Sequence, residues 1–134
     1  MTQARGTFEV KLNPQKPASQ EAEGGGLGRM SIDKQFHGDL EATSVGEMLT
    51  AGTAVKGSAG YVAIERVSGV LQGRRGSFVL QHHGTMTRGS AQMSVTVVPD
   101  SGTDQLNGIS GSMAIRIEDG KHLYEFDYML AETP

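Results

Sequence analysis

The sequence predicts an all-β protein, an eight-stranded and mostly antiparallel up-and-down barrel. Three observations lead there. About eight segments alternate apolar and polar residues with the period of a half-buried strand. No window carries helical periodicity; the nearest, Ala18 to Ala22, is short and ends in glycines. The 19 glycines fall between β-branched runs, where they mark turns, bulges and barrel corners. A meander of eight strands has two open edges, and closing the sheet on itself removes both. A barrel of that size encloses a space that packed side chains fill or one small ligand occupies. The 134 residues suit one β-barrel domain, 1–134, able to bury a core without disulfide or metal.

The first strand is Gly6 to Leu12, in which Phe8, Val10 and Leu12 alternate with Thr7, Glu9 and Lys11. The stretch that follows, at about 13–26, holds two prolines, polar residues and three consecutive glycines, and reads as a flexible surface loop. Leu27 to Phe36 puts Met30, Ile32 and Phe36 on one face, with Lys34 among them. His37-Gly38-Asp39 makes a tight turn, and Leu40 to Thr50 returns with Leu40, Ala42, Ser44, Gly46 and Met48 in register. Small residues there suggest interior space or close packing. Tyr61 to Leu71 and the stretch 74–86 form a hairpin about Gln72-Gly73. Ser90 to Val98 and Met113 to Glu118 are the next strands, separated by the loop PDSGTDQLNG. Asp119-Gly120, the strongest hairpin signal in the chain, joins the last pair.

Composition excludes several functions. With no cysteine there is no disulfide framework, thiolate metal site or cysteine nucleophile, which fits a reducing compartment. The net charge is −3, and Arg74-Arg75 is the only adjacent basic pair, so no nucleic-acid partner is expected. Apolar runs are too short for a membrane span, and the N-terminus lacks the pattern of a signal peptide. The expectation is a cytoplasmic protein with no cofactor. The triple glycine lacks the Lys-Ser/Thr and the helix of a phosphate loop.

The run GYVAIERVSGVLQGRRGSFVLQHHGTM carries a pattern, G-x-L-x-G-R-x-G-S-F-x-L-Q-H-x-G, at Gly69, Leu71, Gly73, Arg74, Gly76, Ser77, Phe78, Leu80, Gln81, His82 and Gly84. The later DQLNGISGSMAIRIEDGKHLYEFDYML adds an L-x-G-I-x-G segment and a D-G-x-H turn. Over nearly its whole length the chain resembles a bacterial family of small uncharacterised proteins, a domain of unknown function. The resemblance implies an allene oxide cyclase-like barrel with a central cavity. It implies no activity, and no cyclase catalytic residue maps onto these positions.

Chemistry is weighed through strand faces. Alternation puts Phe78, Leu80 and His82 on one face and Ser77, Val79, Gln81 and His83 on the other. Adjacent residues on a strand do not converge on one metal, so no metal site is expected at His82-His83. The larger apolar pair turns His82 inward. In the preceding strand the favoured inward set is Tyr61, Ala63, Glu65 and Val67, with Val62 and Ile64 as a credible alternative. In the last strand the aromatic face, Tyr124, Phe126 and Tyr128, is the better lining.

Candidate ligand-binding residues are therefore Lys34, Phe36, Tyr61, Phe78, Leu80, Tyr124, Phe126 and Tyr128, an apolar wall with a few polar groups. Glu65 beside His82 is the candidate catalytic acid–base pair. The bland alternative is a hydrogen-bonded core histidine and a structurally paired carboxylate, with Lys34 or Arg66 as partner. Three functions remain open: a barrel binding a small apolar ligand, a cyclase- or isomerase-like enzyme, and a filled barrel acting through homo-oligomer contacts. Outward Val79, Val95 or Val97, and Ile115 or Ile117 would supply those contacts. A Glu65→Gln variant is expected to keep its fold; its unfolding would mean that the carboxylate is structural.

Overall fold

In a computed structural model that describes residues 1–16, 19 and 25–130, eight strands close into a barrel. They are β1 (Thr2–Gln15), β2 (Leu27–Gly38), β3 (Leu40–Gly52), β4 (Ala59–Leu71), β5 (Arg74–Thr87), β6 (Ser90–Val97), β7 (Ser110–Glu118) and β8 (Lys121–Met129). Each pairs antiparallel with its neighbour in sequence, and β8 pairs with β1. The only helical turn among the described residues is a 3-10 turn, Asp104–Leu106. No helix among them is long and apolar enough to cross a membrane. β1 runs on past the expected loop start, with Asn13 to Gln15 paired to Ser31, Met30 and Arg29. The expected flexible loop lies, at 17–18 and 20–24, outside the described residues.

Three of the connections are two-residue turns in which both residues have positive φ: Gln72-Gly73, Arg88-Gly89 and Asp119-Gly120. That geometry matches the right-handed twist of the flanking strands, and glycine at the second position carries no steric cost. It fixes register, and register fixes which residues face inward.

The barrel is packed at one end. Phe36, Phe78, Phe126 and Leu71 are fully buried there, with Phe78 and Phe126 stacked at 5.5 Å between ring centroids. Leu106, on the 3-10 turn, is buried into the same cluster. Its loop substitutes for a neighbouring strand along the lower half of β5. Thr103 and Ser77 exchange backbone and side-chain hydrogen bonds, and Ser101 Oγ accepts from Val79 N at 3.0 Å. Val95 and Val97, considered as outward residues, point inward and are buried. Their alternation runs with Met93 rather than with the exposed Thr96.

Tyr124 ties this end together. Its hydroxyl donates to His37 O at 2.9 Å and accepts from Leu40 N at 3.0 Å, bridging β8 to the β2–β3 turn. Burial pushes the phenol up to about 12, with the nearby Asp39 and Glu41 charges adding to it against the Leu40 hydrogen bond. The group therefore stays a donor throughout the ordinary pH range. Tyr124→Phe leaves a buried backbone N–H and a turn carbonyl without their partner. The expected loss is about 1–3 kcal/mol in a urea titration, with the barrel's circular dichroism unchanged.

Candidate functional site

Midway along the barrel the interior stops being apolar. Lys34 on β2, Ser44 on β3, Glu65 on β4 and His82 on β5 all point inward from adjacent strands. Glu65 is fully buried, and it is the centre of the group. Its Oε2 accepts from Lys34 Nζ at 2.8 Å and lies 2.6 Å from His82 Nε2, while Oε1 accepts from Ser44 Oγ at 2.9 Å. The side chains of Lys34 and His82 are 7% and 5% exposed, so both partners are also withdrawn from water. The His82 contact is close but does not meet hydrogen-bond geometry, and Nε2 has no other partner among the described residues. Lys34 Nζ also stands 4.9 Å from the centre of the Phe8 ring.

The sequence makes room for this. A Cβ on Gly46, the inward residue of β3 opposite Glu65, would stand 2.8 Å from Glu65 Cβ and 2.1 Å from the Ile64 carbonyl oxygen. Glycine lets the carboxylate cross that position. Burial by itself pushes the Glu65 carboxyl up, and it is the largest single influence. The His82 contact, the Lys34 and His82 charges and the Lys34 hydrogen bond together outweigh it, and hold the group down at about 2. At neutral pH Glu65 is ionised.

Above the cluster the barrel opens. A concavity of about 400 Å³ is lined by Met48, Tyr61, Met86 and Met93 together with small residues such as Gly84 and Ala91 and the polar Thr50, Thr85 and Gln92. Tyr61 connects the two regions: its ring lies in this mouth and 6.4 Å, centroid to centroid, from the His82 ring. A Cβ on Gly84 would stand 2.4 Å from the Tyr61 ring, so the ring lies across β5 where a side chain is missing. Burial, and then the Glu65 charge, raise the Tyr61 phenol. It faces the mouth as a hydrogen-bond donor. On one side the wall is thin, because β6 and β7 pair only at Thr96–Ser112.

The structure brings Glu65 and His82 together as expected, with Lys34 added, and turns Arg66 outward. His83 is exposed on the other face of β5. Tyr61 lies at the mouth. Phe36, Phe78, Leu80, Tyr124, Phe126 and Tyr128 point inward but are buried in the packed end, where Tyr128 donates to Gln72. None of these six lines the mouth. The residues missed are Met86 and Met93, together with Ser44 as a ligand of the carboxylate. Alternation carries the signal: Met86 follows His82 and Gly84 at two-residue steps, and Met93 precedes Val95 and Val97 in the same way. Among the described residues no three His, Asp or Glu side chains gather as a metal set.

These features define a small closed β-barrel, packed at one end and open at the other above a buried Lys–Glu–His cluster. The chain belongs to the DUF3224 family, described as a protein of unknown function, whose family model matches residues 4–128. The crystal structure of a protein with unknown function from the DUF3224 family of Shewanella oneidensis MR-1, at 1.84 Å resolution, is similar to it over 99% of each chain. The two are 55% identical, with a TM-score of 0.93. No curated protein matches the sequence.

The geometry revises the expected behaviour of Glu65→Gln. Without the carboxylate, Lys34 is left buried without a counter-charge and His82 without its partner, which costs about 3–5 kcal/mol. The pH dependence has a definite sign. The folded carboxyl sits at about 2, below its ordinary 4.5, so ionised Glu65 stabilises the fold above pH 4.5. That contribution, about 3 kcal/mol, fades as pH falls from 4.5 towards 2. Urea midpoints of wild type and Glu65→Gln should thus differ most above pH 4.5 and converge in acid. A gap that does not narrow with pH would contradict the ion-pair assignment.

Proposed function

We propose that this protein binds a small, mainly apolar molecule in the open mouth of the barrel. One observation carries the reading: the interior is filled at one end only, and the other end holds a concavity of about 400 Å³ walled by small residues and by Met48, Met86 and Met93. That volume falls in the range of small-molecule sites. Thioether side chains are unbranched and polarizable, and they adapt to the shape of what they enclose. Met86 and Met93 are 43% and 53% exposed, apolar area that a ligand would remove from water. Tyr61 supplies the polar contact, so the ligand this site suits has an apolar body and a carbonyl or hydroxyl oxygen to accept from the phenol.

A second reading, a cyclase- or isomerase-like enzyme, is favoured by the chain of contacts from Glu65 through His82 to Tyr61. Against it, Glu65 is ionised, saturated with partners and fully buried, so it has no proton to give and no path to the mouth. In this reading His82 and Tyr61 would have to carry the proton transfer, with Glu65 holding the imidazole in place.

The test is titration of an apolar fluorescent probe into the protein, together with native mass spectrometry of protein purified from its host. Saturable binding is expected. The double variant Met86→Gln/Met93→Gln should weaken it about tenfold, the effect of losing part of two apolar contacts. Tyr61→Phe should weaken acceptor-bearing compounds and spare hydrocarbons of the same size. No saturable binding by the wild type, or equal binding by the methionine variant, would remove the mouth as a ligand site.

A further inference from the structure

We propose that the outer face of β3, β4 and β5 is a two-fold interface with a second copy of this chain. The outer face of a solvated antiparallel barrel is expected to be polar. Here Val45, Leu49, Val62 and Ile64 are 61%, 56%, 52% and 50% exposed. The strand registers place them together. Across β3, β4 and β5 the outward rows read Leu49–Val62–His83, Glu47–Ile64–Gln81 and Val45–Arg66–Val79. Directly opposed side chains on neighbouring strands are about 5 Å apart, so Leu49, Val62 and Ile64 adjoin, with Val45 and Val79 diagonal to the central Ile64 and polar residues between them. Contiguous exposed patches of this kind mark association surfaces. The patch lies in the middle of the longest-paired strands, away from the thin β6–β7 wall.

Its charges point to the occupant. Within the nine positions there is one acid, Glu47, and one Arg, Arg66, on adjacent sides of Ile64. Arg66 is exposed and makes no ion pair or hydrogen bond among the described residues. Glu47 binds Arg29 at 2.7 Å, yet its side chain stays 61% exposed and keeps acceptor capacity. A strongly acidic or basic partner would find no matching excess of either sign. A second copy does. A two-fold axis in the plane of the contact, running along the diagonal Val45–Ile64–His83, sets Ile64 against Ile64. It brings Arg66 of each copy to Glu47 of the other and turns Leu49 towards Val79. The two sheets then cross steeply, one of the two established ways in which sheets pack face to face. An isologous contact needs this kind of self-complementarity.

The interface is independent of the mouth, and its test is mass and affinity in solution. Sedimentation velocity of the full chain at about 100 µM, where a dimer of micromolar Kd is assembled, should give twice the 14.2 kDa chain mass. Ile64→Glu should give a monomer with unchanged circular dichroism, because the side chain is half exposed and not part of the core. Arg66→Glu should raise the dimer Kd at least about tenfold by creating two like-charge contacts across the axis. Adding Glu47→Arg should recover part of it. A monomeric wild type overturns the proposal. So does a wild-type dimer whose Kd is unmoved by both Ile64→Glu and Arg66→Glu, since the copies would then meet elsewhere.

Discussion

A carboxylate with no access to water organises this barrel. Glu65 is fully buried, and an isolated charge in such a place would neutralise itself rather than stay. It stays ionised because Lys34, His82 and Ser44 reach it from the three flanking positions on β2, β5 and β3. Each of those residues must then face inward, which pins the register of four consecutive strands at one level. Gly46 must be small so that the carboxylate can cross β3. The apolar core is confined below that level, and the mouth begins above it. Replacing the cluster with hydrocarbon of the same shape would cost little or even stabilise the fold. What the ionic arrangement adds is a fixed level in the barrel at which packing ends.

Much of this was legible from alternation alone. Eight strands, their order, the hairpin at Asp119-Gly120 and the inward turn of Lys34, Glu65 and His82 follow from period-two patterning and turn chemistry. The pairing of Glu65 with His82 follows as well, since adjacent strands of one hairpin place inward residues side by side. Depth along the barrel was not legible. Alternation says which face a residue occupies, not whether it lies in the packed end or in the mouth, and that depends on strand stagger around the closed sheet. Phe36, Phe78 and Tyr124 therefore read as pocket wall when they are core. Met86, near the end of β5, and Met93, on β6, line the opening, and alternation alone does not say so.

The same limit explains the outward residues. Val95 and Val97 look equivalent to Val79 in a one-dimensional pattern of β-branched residues. Their faces separate only when β6 is registered against β5, with Val95 opposite the inward His82 and Val97 opposite the inward Leu80. The apolar outer patch was hidden for a related reason. Val62 and Ile64 are a credible inner pair on hydrophobicity, and they face out because Ala63, Glu65 and Val67, the alternate set of the same strand, are buried. The face of β4 that holds a buried charge has thus left two aliphatic residues at the surface.

That arrangement links the cluster to the proposed interface through a single strand. Along β4 the inward residues are Tyr61, Ala63, Glu65 and Val67, and the outward ones are Val62, Ile64 and Arg66. Because successive side chains leave opposite faces, neither set can shift without the other. Exposed Val62 and Ile64 would be a liability on a monomer's surface, open to non-specific association. Covering them with a second copy turns that liability into stabilisation, and it braces β4 from outside at the level where Glu65 is held from inside. The β3–β5 wall would then be the rigid side of the molecule. The thinly paired β6–β7 wall, which carries Met93, would be the side free to adjust to a ligand.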